Sequence, residues 1–174
     1  MEKPKAVSYN EHTFHSGGTA MPIVTFYRGH PNPPKTTQRA RLGANAVITC
    51  NGKLLLEKRR DCDSWGLIGG GVKKQETELQ AIAREVYEEL GLRIPKEQFR
   101  KLGVYGEPGR IAAYQDGSIW RMVIVAFGLE LEKEPQMVIS AESKALQFFS
   151  KEELEEIQIV PTHSDIVEEW FSCK

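Results

Sequence analysis

The chain has 174 residues and a mass of 19.7 kDa, enough for one domain of ordinary size and too little for two. Residues of the AVILMFWYC set make up 40% and charged residues 27%, which allows a real core under a normal wetted surface and excludes collagen, coiled coil and disulfide scaffold. Lys and Arg number 23 against 24 Asp and Glu, a net charge of −1 that offers no long-range attraction to a nucleic-acid polymer.

No apolar run reaches membrane-span length, and the opening MEKPKAVSYN lacks the apolar centre of a signal peptide. The three cysteines, Cys50, Cys62 and Cys173, are odd in number and lack metal-type spacing. Free thiols and a cytoplasmic location are therefore expected.

In chain order, residues 1–38 read as an extension rich in Pro and Gly, with one candidate strand at Ile23 to Tyr27 and a stiff PNPP stretch. His12 and His15 have the spacing of a metal pair but no third ligand, so they read as surface polar residues. Residues 39–174 read as the domain. Ala44 to Cys50 and Lys53 to Lys58 are strand-like runs joined by Asn51-Gly52, a strong hairpin signal. A loop, DCDSWG, leads to the glycines Gly69, Gly70 and Gly71, which read as a tight turn. Thr77 to Leu90 reads as a helix: Thr77 and Gln80 have capping-box spacing, Leu79, Ile82, Val86 and Leu90 form an apolar stripe, and Gly91 suits the stop.

Further strands are expected at Phe99 to Tyr105, Ile111 to Gln115, Ile119 to Leu131 and Ala145 to Phe149. The run WRMVIVAFGL is apolar on both faces and belongs near the centre of a sheet. Two short helices follow, with Ser150/Glu153 and Thr162/Asp165 as N-terminal caps. Strands on both sides of a long helix argue for a mixed α+β domain.

Chemistry concentrates between Gly70 and Leu92. Glu85, Glu88 and Glu89 stand at i, i+3 and i+4, so three carboxylates emerge on one helix face. Such repulsion is relieved by a cation, and oxygen donors without a His or Cys cluster suit Mg²⁺ or Mn²⁺ better than zinc. Arg84, four residues before Glu88, is placed to orient the carboxylates. The glycines admit backbone N–H groups close to an anion, a setting for phosphate oxygens. Alone, a Glu-rich helix face is more often just solvated and a glycine triplet more often just a turn. The joint spacing decides the matter: Gly70, Glu76, Arg84, Glu85, Val86, Glu88, Glu89, Gly91 and Leu92 fit G-x5-E-x7-R-E-U-x-E-E-x-G-U without a gap. From residue frequencies, a chance match has a probability of roughly one in a million or less.

This is the Nudix box, and the chain resembles the Nudix hydrolase family. The resemblance implies an α/β/α sandwich with a mixed β-sheet and hydrolysis of a nucleoside diphosphate linked to another group. By position, Glu85, Glu88 and Glu89 match the family's metal ligands, joined by Gly69. Arg84 matches the orienting residue, and Glu76 supports the geometry between loop and helix. Glu142, before Phe148 and Phe149, stands where many members recruit another glutamate as ligand or base, and an ordinary loop carboxylate is an equal reading of it. Glu107 is a weaker candidate for the same role. The chain departs from the usual pattern at Ile68, Lys73 and Gln75, where relatives often carry Pro, Glu and Gly.

Pro108 lies 16 residues beyond the box (108 − 92), a placement the family associates with ADP-ribose hydrolases, with simple turn chemistry as the plain alternative. Gly69, Gly70, Arg59, Trp65 and Pro108 are the expected substrate contacts. Tyr114 and Trp120 are further stacking candidates, and Arg60, Arg110 and Arg121 further phosphate contacts, against core packing and ordinary surface arginine. Cys62 reads as an incidental thiol. The implied partner is a small nucleotide substrate: ADP-ribose or a nucleotide sugar, ahead of a noncanonical nucleoside triphosphate. A Nudix-fold sensor without hydrolysis is the contrasting reading. The extension either adds a strand to a neighbouring subunit, as in dimeric relatives, or is disordered in solution.

Overall fold

A computed structural model describes residues 23–172. The expectations for His12, His15 and Cys173 fall outside it. Among the described residues, nine strands form one mixed sheet. They are β1 (Val24–Tyr27), β2 (Arg41–Cys50), β3 (Lys53–Arg59), β4 (Trp65–Gly66), β5 (Ile68–Gly71), β6 (Arg100–Tyr105), β7 (Ile111–Tyr114), β8 (Ile119–Leu131) and β9 (Ser143–Phe149). Helix α1 is Glu78–Leu90 and α2 is Pro161–Ser172. Among the described residues, no helix is long and apolar enough to cross a membrane.

The sheet is organised round a parallel pair. β8 runs beside β2 from Met122 opposite Arg41 to Leu131 opposite Cys50, and its other edge takes β6 and β7 antiparallel. That central place is what its two-sided apolar pattern requires. β2 pairs with β3 across Asn51-Gly52, whose φ values of 51° and 77° give the paired left-handed conformation of a type I′ hairpin turn. Nearer its start, β2 pairs with β5. β3 also carries β9 and β4.

Alternation along β2, β3 and β8 sorts side chains into two cores, one on each sheet face. Ala44, Ala46, Ile48, Leu55, Val125, Phe127 and Leu129 pack against Ala81, Ile82, Val86 and Leu90 of α1. Val47, Leu54, Leu56, Ile124 and Ala126 pack against Ile166 and Val167 of α2. The result is the expected α/β/α sandwich.

Several local expectations are corrected. The glycine triplet is not a turn: Gly69 to Gly71 lie in β5, paired with Gly43 to Asn45 of β2. The end of the DCDSWG loop is already strand, since β3 offers Glu57 and Lys58 as partners to Gly66 and Trp65. Ser150 and Glu153 do form a reciprocal cap, but it opens a single 3₁₀ turn over Glu153–Glu156. Thr162 is not an N-cap. The helix begins at Pro161, whose fixed φ and missing N–H suit the first helical position. The expected strand near residue 23 is present as β1, and it pairs with β7 of its own chain.

Candidate functional site

The side chains at issue are placed by α1 and the β-strand before it. Thr77 accepts from the Gln80 N–H at 3.2 Å while Gln80 accepts from the Thr77 N–H at 2.8 Å, which fixes where α1 starts. Gly91, at φ 72°, donates to the Tyr87 carbonyl and ends it. Between these ends, the apolar stripe is pinned to the sheet, so the acidic face must lie along β5. A cavity of about 760 Å³ opens there.

Its acidic wall carries Glu85, Glu88, Glu89 and Arg84, with Gly69, Gly70 and Lys73 close against them. Arg84 is the centre of this wall. Its Nη1 donates to Glu85 at 2.7 Å and Glu88 at 2.8 Å, and its Nε and Nη2 donate to Glu76 at 3.1 and 2.6 Å. Nη2 also reaches the Gly71 carbonyl at 3.1 Å, which ties helix to strand. The Glu76 carboxylate also accepts from the Lys73 N–H at 2.8 Å, and its pKa is held down at about 2, chiefly by Arg84.

Glu89 is buried and accepts from the Gly69 N–H at 3.0 Å. Burial, with Glu57 and Glu85 adding repulsion, pushes its carboxyl well above the ordinary range. Burial likewise raises Glu85. Gly70 makes room for that carboxylate: a Cβ built there would lie 2.6 Å from Glu85 Oε1. Among the described residues, no group of three or more acidic, His or Cys side chains is already gathered into a metal cage. Arg84 holds Glu85 and Glu88 while the Gly69 amide holds Glu89, so the carboxylates share a wall without converging on one point.

The other wall is aromatic and cationic. Arg41, Tyr114, Trp120 and Phe26 line it. The Arg41 guanidinium lies 6.0 Å from both the Tyr114 and Trp120 ring centres and donates to the Tyr114 hydroxyl at 3.2 Å. Arg59 also lines the cavity, 5.8 Å from the Phe26 ring, with its charge taken up by Asp61 at 2.9 and 2.6 Å and by Glu57 at 3.2 Å. Glu142 reaches the cavity from the loop before β9.

Trp65, Pro108, Arg110 and Arg60, all expected contacts, lie elsewhere. Trp65 is not among the cavity-lining residues; it stacks edge-on against Phe149 at 4.7 Å on the α2 side. Pro108 does not line the cavity either. Its neighbour Glu107 is committed to Arg28 and Arg110, each at 3.0 Å. Arg110 is fully buried, donating to the Thr162 carbonyl and to Asp165, so it is a structural brace and not a phosphate contact. Arg60 spends its Nε on the Ser143 carbonyl. Cys62 is a half-buried free thiol whose pKa burial raises, which fits the inert reading.

Four residues important to this geometry escaped the sequence reading: Phe26, Arg41, Glu57 and His163. Glu57 left a visible signal, a carboxylate two positions after Leu55 on the same face of an apolar strand. It is buried and accepts from Ser143 at 2.6 Å. His163 heads the apolar series Ile166, Val167 and Trp170 at helical spacing.

Comparison with known proteins places these features in context. The family model described as NUDIX domain matches residues 39–170. A MutT-like protein of Streptomyces ambofaciens is 39% identical over 62 residues, covering 36% of this chain and 39% of the relative. The structure of a MutT/nudix family protein from Enterococcus faecalis superposes with a TM-score of 0.55 at 25% identity, over 68% of this chain and 46% of that one. This chain thus spans less than half the length of these relatives. The NUDIX domain of Shewanella oneidensis NrtR, solved with ADP ribose, gives a TM-score of 0.63 at 18% identity, over 82% of this chain and 93% of that one. A bifunctional NMN adenylyltransferase/ADP ribose pyrophosphatase from Francisella tularensis, solved with AMP and a Mn ion, gives 0.61 at 21%, over 82% and 43%. At 18% and 21% identity, the likeness is one of fold.

Proposed function

We propose that this chain, which belongs to the NUDIX domain family, is a divalent-metal-dependent pyrophosphohydrolase whose substrate is ADP-ribose or a nucleotide sugar. The observation that carries this reading is one cavity with two unlike walls. Glu85, Glu88 and Glu89 of α1 supply one lining, and Arg41, Tyr114 and Trp120 of the sheet supply the other. A nucleoside diphosphate has the same polarity, an anionic chain that needs cations at one end and a stacking base at the other.

The donor set fits Mg²⁺ or Mn²⁺, since hard carboxylate oxygens stand on that wall with backbone at Gly69 and no thiolate or imidazole between them. Glu85, Glu88, Glu89 and Gly69 would hold the ion, which supplies neutralisation of charge on the phosphate oxygens. Arg84 sets the approach of Glu85 and Glu88 through its short contacts to both. Gly70 leaves the space in which the Glu85 carboxylate sits. Glu142, which lines the cavity from a loop, would take the proton of an attacking water. Arg41, with Tyr114 and Trp120, would hold the base. Because Phe26 of β1 lines the same cavity, the working unit starts before residue 39. The neighbours solved with ADP ribose and AMP support the choice of nucleotide class.

The test is product release from ADP-ribose, nucleotide sugars, dinucleoside polyphosphates and noncanonical triphosphates, each with Mg²⁺ and with EDTA. Mg²⁺-dependent cleavage of ADP-ribose or a nucleotide sugar above the rest is the expected result. Preference for a triphosphate would move the substrate class. Silence across the panel, with ADP-ribose still bound, would identify a sensor.

A further inference from the structure

We propose that His163 contacts the substrate, donating a hydrogen bond from Nε2 to an acceptor oxygen of the molecule bound in the cavity. The inference rests on reading that cavity as the substrate site.

The ring is fixed from one side. Leu67 N–H, between β4 and β5, donates to His163 Nδ1 at 3.1 Å. Nδ1 must therefore be bare, and a neutral imidazole then carries its proton on Nε2. The surroundings keep it neutral: burial, with Arg59 and Arg110 nearby, lowers its pKa to about 3. His163 is 6% exposed and lines the cavity beside Thr162 and Arg59. Among the described residues, Nε2 has no protein partner, and it is not one of the sealed, unpaired polar atoms. A neutral N–H donor can bond an acceptor oxygen and offers nothing to a cation. A purely structural histidine needs only the Leu67 bond; an Nε2 donor without a protein partner, on a ring that lines the cavity, is what that role leaves over.

Asparagine separates the two functions. In His163→Asn, Oδ1 can take the place of Nδ1 and accept from Leu67, while nothing replaces Nε2. The variant is expected to fold with a melting temperature within a few degrees of wild type. Its kcat/KM for ADP-ribose with Mg²⁺ should fall about three- to tenfold, the range for one neutral hydrogen bond, mainly through KM. Wild-type kcat/KM in folded His163→Asn overturns the proposal. A second readout does not need turnover. ¹⁵N spectra of the histidine side chains should show His163 as the Nε2–H tautomer, and titration with ADP-ribose without added metal should shift Nε2. An Nε2 signal that stays put, or an Nδ1–H tautomer, overturns it too. If the wild-type protein cleaves no nucleotide, the hydrolase reading fails, and the titration alone decides the role of His163.

Discussion

Three consecutive glycines should respond to alanine in three different ways. At Gly69, φ is 140° and an added Cβ would lie 2.2 Å from the Ala44 carbonyl oxygen and 2.7 Å from Asn45 Cα. Both obstacles are backbone of the central strand β2 and cannot step aside. Strain of about 1–3 kcal/mol from the dihedral and as much again from overpacking give Gly69→Ala a cost of about 2–6 kcal/mol. For a chain of this size, that lowers the melting temperature by about 4–24 °C. At Gly70, the added Cβ meets only the Glu85 carboxylate, with Oε1 at 2.6 Å and Cδ at 2.8 Å. That group is the end of a flexible side chain, so it moves, by about 0.8 Å to reach ordinary contact at 3.4 Å. The fold survives, but Glu85 leaves its place beside Arg84, and a misplacement near 1 Å costs about 10²-fold in rate. At Gly71, the nearest atom is Arg41 Nη2 at 3.5 Å, an ordinary contact. Thermal melts and steady-state kinetics on the three variants, with the best nucleotide of the panel, should give an unstable protein, a stable slow enzyme and a near-wild-type one. Equal losses of stability at Gly69 and Gly70, or wild-type kcat in Gly70→Ala, would refute the placement of Glu85.

Other consequences are read with similar means. Glu88→Gln, at the exposed end of the acidic wall, should leave the melting temperature unchanged and lower Mg²⁺-dependent turnover by on the order of 10²-fold or more, and full activity would remove Glu88 from the metal set. Glu89→Gln should split stability from activity. The wild-type carboxyl is raised from its ordinary 4.5, so the folded state binds its proton more tightly and loses stability as pH rises above that value; the variant should melt higher than wild type at pH 8 in EDTA while turning over poorly. His163 works in the opposite sense, since a depressed histidine pKa costs stability as pH falls below 6.5. Between pH 6.5 and 5 that loss is at most about 2 kcal/mol, and denaturant titrations should show it shrinking in His163→Asn. Trp120→Ala should raise KM for nucleotides several-fold and spare the Mg²⁺ dependence; an unchanged KM would empty the aromatic wall of its role.

Local rules made most of the fold legible. The Asn51-Gly52 hairpin, the Thr77–Gln80 cap and the Gly91 stop are short-range events whose residues carry their own geometry. The two-sided apolar pattern of β8 placed it at the centre because no other position buries both faces. The glycine triplet was misread for a physical reason. Absence of a side chain permits a turn, and it equally permits a strand to approach a neighbour too closely for any Cβ; only the long-range pairing with Gly43 to Asn45 separates the two. Thr162 misled in a related way, since a threonine three residues before an aspartate looks like a cap, while the proline before it had already set the helix start.

The acidic wall was readable because a single helix presents it, and helical spacing is enough to place Glu85, Glu88 and Glu89 together. The opposite wall is assembled from β1, β2, β7 and β8, whose contributors lie up to 94 residues apart (Phe26 to Trp120). Each is an ordinary residue in its own segment, and only the sheet order brings them to one place. Trp65 shows the converse: it sits near the box in sequence, yet strand alternation turns it toward Phe149 and the α2 core. The acidic wall is also not made by its carboxylates alone. Four acceptor groups, on Glu76, Glu85, Glu88 and Gly71, all bond to Arg84. One guanidinium thus offsets the repulsion of the concentrated acids and fastens α1 to β5. The residue that lets the acids coexist is the same one that sets their positions, so charge balance and site geometry are inseparable here.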